Sequence, residues 1–362
     1  MLEAKVNKKR LLLEEASKYA EILTKMSQRV APHAYWNYAN AENNRALIQA
    51  ALAEIEPNPE KKRKLLEKAI LIMENCFALI TKDLKDNAPG WKIHFLGRYY
   101  YWFGAILEQL HFLTKDKKIL KRAIDAYSNA TESYSKAKLR TREAEACWQK
   151  ANPHDLLEDF LEASYNYESA SKLFKIASEE IPQLLEFYQE HSANMHAWSE
   201  IEQAKYNHSR EKYLQAEIHY ENAGRLHEKL DNWNYLSSNY FAWAKMEHAE
   251  DLSRTEKSTE AIQSFRDAID YFQKTDRNTK TKIIQNLTNK EKKLVKRIVE
   301  ASDPRHKYCQ ARILSARNRF SGNSVNDSQH SFNLNINLIS SKSYHSTVTL
   351  NRKPNICIIR VS

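Results

Sequence analysis

Residues 170–182 read ASKLFKIASEEIP, and Ala170, Phe174 and Ala177 within that stretch decide the fold. Offsets of four and three place them on one face of a helix. A small side chain at each end lets a neighbouring helix approach closely, and the large one between them fills the groove. The same small–bulky–small pattern recurs at Ala69, Met73 and Cys76, at Ala123, Tyr127 and Ala130, at Ala216, Tyr220 and Ala223, and at Ala261, Phe265 and Ala268. First members are 54, 47, 46 and 45 residues apart. One triad is what any amphipathic helix offers. Five at a settling period imply a repeated helical unit.

Composition points the same way. The chain has 362 residues, of which 5 are glycine and 8 proline, and 42% are hydrophobic. Sheet-rich and nucleotide-binding folds need tight turns and phosphate loops, which glycine supplies at least cost. Long helices joined by short links need few. Stop and start signals predict helices over 9–28, 33–54, 59–84, 91–113, 116–138, 141–150, 155–181, 183–207, 210–230, 232–253, 257–274, 280–301 and 304–319. Asn58-Pro59 and Asp303-Pro304 each offer an N-cap followed by proline at the first helical position. Asp155 and Glu158 have capping-box spacing, and Ala88-Pro89-Gly90 breaks the chain before Trp91.

Tetratricopeptide repeats place alanine, an aromatic and alanine at this spacing in their second helix, with proline five residues later. Ala170, Phe174, Ala177 and Pro182 match that half-signature. Ile93, Leu96, Gly97 and Tyr100 match the first-helix signature, with isoleucine where tryptophan is usual. The resemblance spans about residues 33 to 320, with units about eleven residues longer than the family's usual 34. It implies an all-α fold, a right-handed superhelix (solenoid) of antiparallel helix pairs, with residues 1–32 as an N-terminal capping helix. It also implies a concave surface lined by first helices. Carrying the register over from Leu96 and Gly97 puts Trp91, His94, Arg98 and Tyr101 on that surface as ligand-binding residues. The longer units are similar to those of the soluble attachment proteins of membrane fusion, although no motif singles out that group.

Motifs for catalysis are missing from the sequence: no phosphate-binding Gly-rich loop, no HExxH, no pair of histidines four apart. His219 and His227, two turns apart, read as polar residues on a solvated face. The expectation is a non-catalytic scaffold that binds a protein or peptide, without cofactor, metal or small-molecule substrate. Aromatic runs at 99–103 and 233–243 read as inter-helix packing or as anchors lining a groove. The net charge is +10, and two basic clusters supply a rival reading as a nucleic-acid binder. One is Lys61, Lys62, Arg63 and Lys64; the other is Lys290, Lys292, Lys293, Lys296 and Arg297. Cys76, Cys147, Cys309 and Cys357 have no metal-site spacing and read as free thiols, with Cys76 and Cys147 packed as small apolar residues. No signal core or apolar run of about 18 residues occurs, so the expected location is cytoplasmic, with no membrane span.

Residues 321–362 depart from this scheme. They contain no glutamate and a single aspartate, Asp327, among many serines and asparagines, and 332–339 alternates as a strand would. The predicted helix 304–319 looks like the first half of a further unit. The tail is therefore either an extension that is flexible or adds a strand, or foreign sequence after a disrupted frame, with the second reading favoured. In both cases poor order is expected.

Overall fold

The computed structural model describes residues 2–30, 35–83, 88–284, 305 and 307–316, and among them every regular element is a helix. In chain order these are α1 (Leu2–Val30), α2 (Tyr35–Ile55), α3 (Pro59–Asp83), α4 (Gly90–Thr114), α5 (Lys117–Lys136) and α6 (Arg140–Leu156). There follow α7 (Phe160–Glu180), α8 (Leu185–His208), α9 (Tyr213–Glu228), α10 (Ser237–Arg254) and α11 (Ser258–Ile284). Single 3-10 turns at Pro182–Leu184 and Asn234–Leu236 lead into α8 and α10, and 307–316 is also helical.

The chain divides into two compact units, Met1–Leu157 and Glu158–Ser362. In the first, each helix from α1 to α6 packs on the next, and α4 also touches both α2 and α6. In the second, α7 packs on α8, α8 on α9, α9 on α10 and α10 on α11. Consecutive packing of neighbours is compatible with a helical repeat.

The triads explain that packing. They lie on α3, α5, α7, α9 and α11, and none of their residues is more than 2% exposed. The stripe continues one turn further. Ile80, Tyr134, His227 and Phe272 each follow a triad by four residues and are buried as well. On the partner side of one such face, Gly97 and Gly104 of α4 sit two turns apart. A Cβ on Gly97 would lie 3.0 Å from the Tyr134 ring, and one on Gly104 would lie 2.8 Å from the Tyr127 ring. Glycine is needed at both positions because two α5 tyrosines lie directly against the α4 backbone.

Links between helices are short and make little use of glycine. Lys115, Lys138, Glu158, Glu211 and Glu256 instead adopt left-handed φ values of 55–66°, a conformation in which an ordinary side chain crowds the backbone. Asn58 caps α3 as the sequence indicates, its Oδ1 accepting from the Lys61 N–H at 3.0 Å. Cys76, Cys147 and Cys309 are buried free thiols; burial raises the Cys76 pKa to about 12 and that of Cys147 to about 11.

Three expectations need correction. The helix predicted to end at 150 continues as α6 to Leu156, through Pro153. Burial of Ala151 through Asp155 offsets the hydrogen bond that proline cannot donate. Asp155 therefore lies in the last turn of α6, Glu158 takes the left-handed link, and no capping box forms. The second concerns α11, which runs unbroken across 275–279, where a gap was expected. Thr275 there is fully buried and its Oγ1 donates to the Tyr271 carbonyl at 3.0 Å. Third, the helix predicted from 9 begins at Leu2. Asp303-Pro304, Cys357, most of 280–301 and the tail 321–362 lie outside the described residues.

Candidate functional site

Steps of three, four and three residues put Trp91, His94, Arg98 and Tyr101 on one side of α4. Trp91 opens the helix and is 51% exposed. Its ring meets Trp36 of α2 edge-on at 5.6 Å, and the Lys92 Nζ stands 5.5 Å and 5.7 Å from the two ring centroids. Two tryptophans and an ammonium thus form one partly open platform, which α4 and α2 build together.

Arg98 lies two turns along. Its Nη2 donates to Asn40 Oδ1 of α2 at 2.9 Å, and its guanidinium covers the Phe95 ring at 4.8 Å. His94 sits between Phe95 and Tyr134 of α5, with ring centroids 5.7 Å and 6.2 Å away. Burial, then the positive Arg98 and Arg142, lower its pKa, so it is a neutral imidazole near pH 7. Tyr101 is placed differently. Its ring packs on Trp102 at 5.5 Å and on Tyr127 at 5.9 Å. Burial, then Glu145, push its ionisation well above the ordinary phenol range. Of the four, Trp91 is exposed, His94, Arg98 and Tyr101 are half-buried behind it, and the Tyr101 ring packs towards α5. Trp36, Asn40 and Lys92 were not picked out from the sequence. What places them here is the contact of α2 with α4, a pairing of helices two apart that local periodicity does not report.

Further down the same side of α4, Glu108 buries its carboxyl against Tyr127. Its Oε1 is shielded and finds no hydrogen-bond partner, although the residue as a whole is only half-buried. Burial raises its pKa to about 8, and the neighbouring Tyr127 hydroxyl opposes only part of that rise.

Of the basic clusters, Lys61, Lys62, Arg63 and Lys64 open α3, and Arg63 Nε pairs with Glu67 at 2.7 Å. Lys290, Lys292, Lys293, Lys296 and Arg297 lie outside the described residues. Among the described residues no group of acidic, histidine or cysteine side chains is arranged to hold a metal.

The second unit carries chemistry that the sequence reading missed. Four histidine–glutamate pairs join its helices: Glu168–His196 at 2.9 Å, Glu200–His219 at 3.0 Å, Glu217–His248 at 2.9 Å and Glu247–His208 at 2.8 Å. Burial pulls the His208 pKa down, but the hydrogen bond and charge of Glu247 outweigh it and leave it raised. His219 and His227 do not share a solvated face. His219 is a bridging residue on α9 that pairs with α8, whereas His227 is fully buried, its Nε2 3.3 Å from Asn194 Oδ1. Burial lowers the His227 pKa to about 3. The available signal was the triad stripe: His227 stands four residues after Ala223, where the other triads place bulky interior residues.

An open cleft of about 340 Å³ lies between α7 and α8. Exposed Leu161 and Tyr165 stand on one side, and Ser164, Ser199 and Gln203 close the floor through hydrogen bonds of 3.0 Å and 2.9 Å. Its polar floor satisfies itself.

No family model matches the chain, and no curated protein matches it. Among solved structures, a crystal structure of BtubC (BKLC) from P. vanneervenii is similar, with 14% identity and a TM-score of 0.42 over 76% of this chain and 94% of that one.

Proposed function

We propose that the chain is a helical-repeat scaffold of the tetratricopeptide kind, wound as a right-handed superhelix, that holds a partner protein or peptide without covalent chemistry. The observation that carries the reading is the platform of Trp36, Trp91 and Lys92, with Arg98 two turns away. Tryptophan and arginine supply a disproportionate share of binding energy at protein interfaces. Here they stand on helices rather than loops, so binding costs little ordering. A partner segment suited to this face has an apolar side chain for the tryptophans and a carboxylate or carbonyl for Arg98. Among the described residues no helix is long and apolar enough to cross a membrane. Three buried unpaired thiols suit a reducing compartment, which supports a cytoplasmic setting.

The test is partner capture by the full chain and by a Trp91→Ala, Arg98→Ala variant, at low and at high salt. These two side chains are preferred to Tyr101, whose removal would also loosen α4 against α5. The variant is expected to keep its helical circular dichroism and lose the partner. Undiminished capture would remove this face from the function. A partner lost steeply with salt from both proteins, and identified as nucleic acid, would move the function to the lysine clusters.

A further inference from the structure

Helix α1 packs on α2 through residues near Leu13, Ala20 and Thr24. Its outer side is apolar and open. Leu11, Leu12, Tyr19, Ile22, Leu23 and Met26 are 53–67% exposed, and at 100° per residue all six fall within one third of the helix circumference. The stripe is about 22 Å long. Together these side chains leave on the order of 600 Å² open, close to the roughly 800 Å² that each partner contributes to a standard interface. Scattered surface leucines need no explanation, whereas a contiguous stripe of this size stands at the upper end of what a monomer exposes, where patches are often functional.

We infer that α1 is a self-association surface, whose occupant is the α1 helix of a second copy lying antiparallel to it. The charges beside the stripe select this occupant and this direction. Glu14, Lys18, Glu21 and Lys25 form one exposed flank, and none of them is ion-paired with another described residue. A two-fold axis near Tyr19 and Ala20 reverses the order of the flank, setting Glu14 opposite Lys25 of the other copy and Lys18 opposite Glu21. Every contact on the flank is then between opposite charges. A parallel pair would instead set this flank against the opposite edge of the stripe, where Ala16 and Ser27 stand, and leave its glutamates and lysines without each other. The same axis brings Leu12 near Met26 of the second copy and Tyr19 near its own equivalent, as an isologous interface requires. Glu15, which interrupts the stripe, faces the second copy's Leu23 region and limits the affinity. The inference stands apart from the partner-binding face on α4.

Sedimentation velocity of the full chain over a wide concentration range tests it. A concentration-dependent shift from monomer to dimer is expected. Leu12→Asp with Tyr19→Asp should leave only monomer, and Glu15→Leu should strengthen the dimer roughly tenfold. The charge exchange separates this contact from a general effect on folding. Glu14→Lys alone should weaken the dimer by setting lysine against Lys25, and adding Lys25→Glu to the same chain should restore it. A chain that stays monomeric throughout, or a double variant no better than the single one, would overturn the inference. So would a monomer that binds vesicles of mixed phosphatidylcholine and phosphatidylserine through the stripe, since that would make lipid the occupant.

Discussion

The two compact units share one packing rule, down to a glycine set against an aromatic ring in each (Gly104 on Tyr127, Gly224 on Phe241), and differ in the polar groups that they bury. In Met1–Leu157 the α4–α5 seam is closed by glycine against tyrosine, and one carboxyl shielded beside it is that of Glu108. In Glu158–Ser362 the seams carry histidine–glutamate pairs, and one titratable group held inside is the His227 imidazole. Burial opposes charge in both cases, so the acid keeps its proton and the base gives its proton up. A repeat fixes where side chains go; it leaves open which chemistry occupies the seam.

The sharpest way to break this comparison is with pH. Between pH 6.5 and about 3 the unfolded chain protonates His227 and the folded one does not, so the contribution of His227 to the second unit is lost as pH falls. From pH 7 to pH 5 the loss should be about 2 kcal/mol. Glu108 acts with the opposite sign. Its folded pKa of about 8 lies above its ordinary 4.5, so its contribution is present at low pH and is lost as pH rises through that range. Hydrogen exchange read separately over α9–α10 and over α4–α5 should show protection falling with acid in the first and with base in the second. His227→Gln should flatten the first trend and Glu108→Gln the second. Parallel trends in both regions would end the comparison.

A smaller effect tests the glycine seam. Gly104→Ala improves helix propensity by up to about 1 kcal/mol, yet its methyl would press on Tyr127 at 2.8 Å. We expect a net loss of about 1–2 kcal/mol, read by thermal denaturation. A more stable variant would show that Tyr127 can retreat. The smallest effect concerns the links. Glu256→Gly should raise stability by up to about 1 kcal/mol, because glycine accepts its φ of 61° without crowding. An equal effect is expected at Glu158. A gain at neither would mean that the lost backbone entropy of glycine cancels the relief.

Much of the fold was legible because small–bulky–small triads report a helix–helix contact directly. Phe174 and Phe265 could be placed in the interior from spacing alone. What stayed hidden depends on contacts distant in sequence. Arg98 lines a face, but its partner Asn40 is 58 residues away, and Lys92 matters only because Trp36 stands next to Trp91. Polarity misled at His227, where a residue that usually faces water occupies the interior end of a stripe. Proline misled at 153, because burial around it outweighed its effect on the local backbone. The open side of α1 was missed for a related reason: spacing finds an apolar stripe, but only the neighbours reveal whether it is covered.

Gly97 and Gly104 also act as a key that fixes how α4 and α5 slide past each other. A shift of one turn, about 5.4 Å, would drive Tyr127 and Tyr134 into bulkier neighbours. A shift of two turns towards the start of α4 would let them settle again, because Gly90 continues the seven-residue spacing. Only Lys115 and Asp116 connect the two helices, too little chain to permit that second setting. Sequence spacing alone would allow the hairpin two registers, and the brevity of its turn leaves it one.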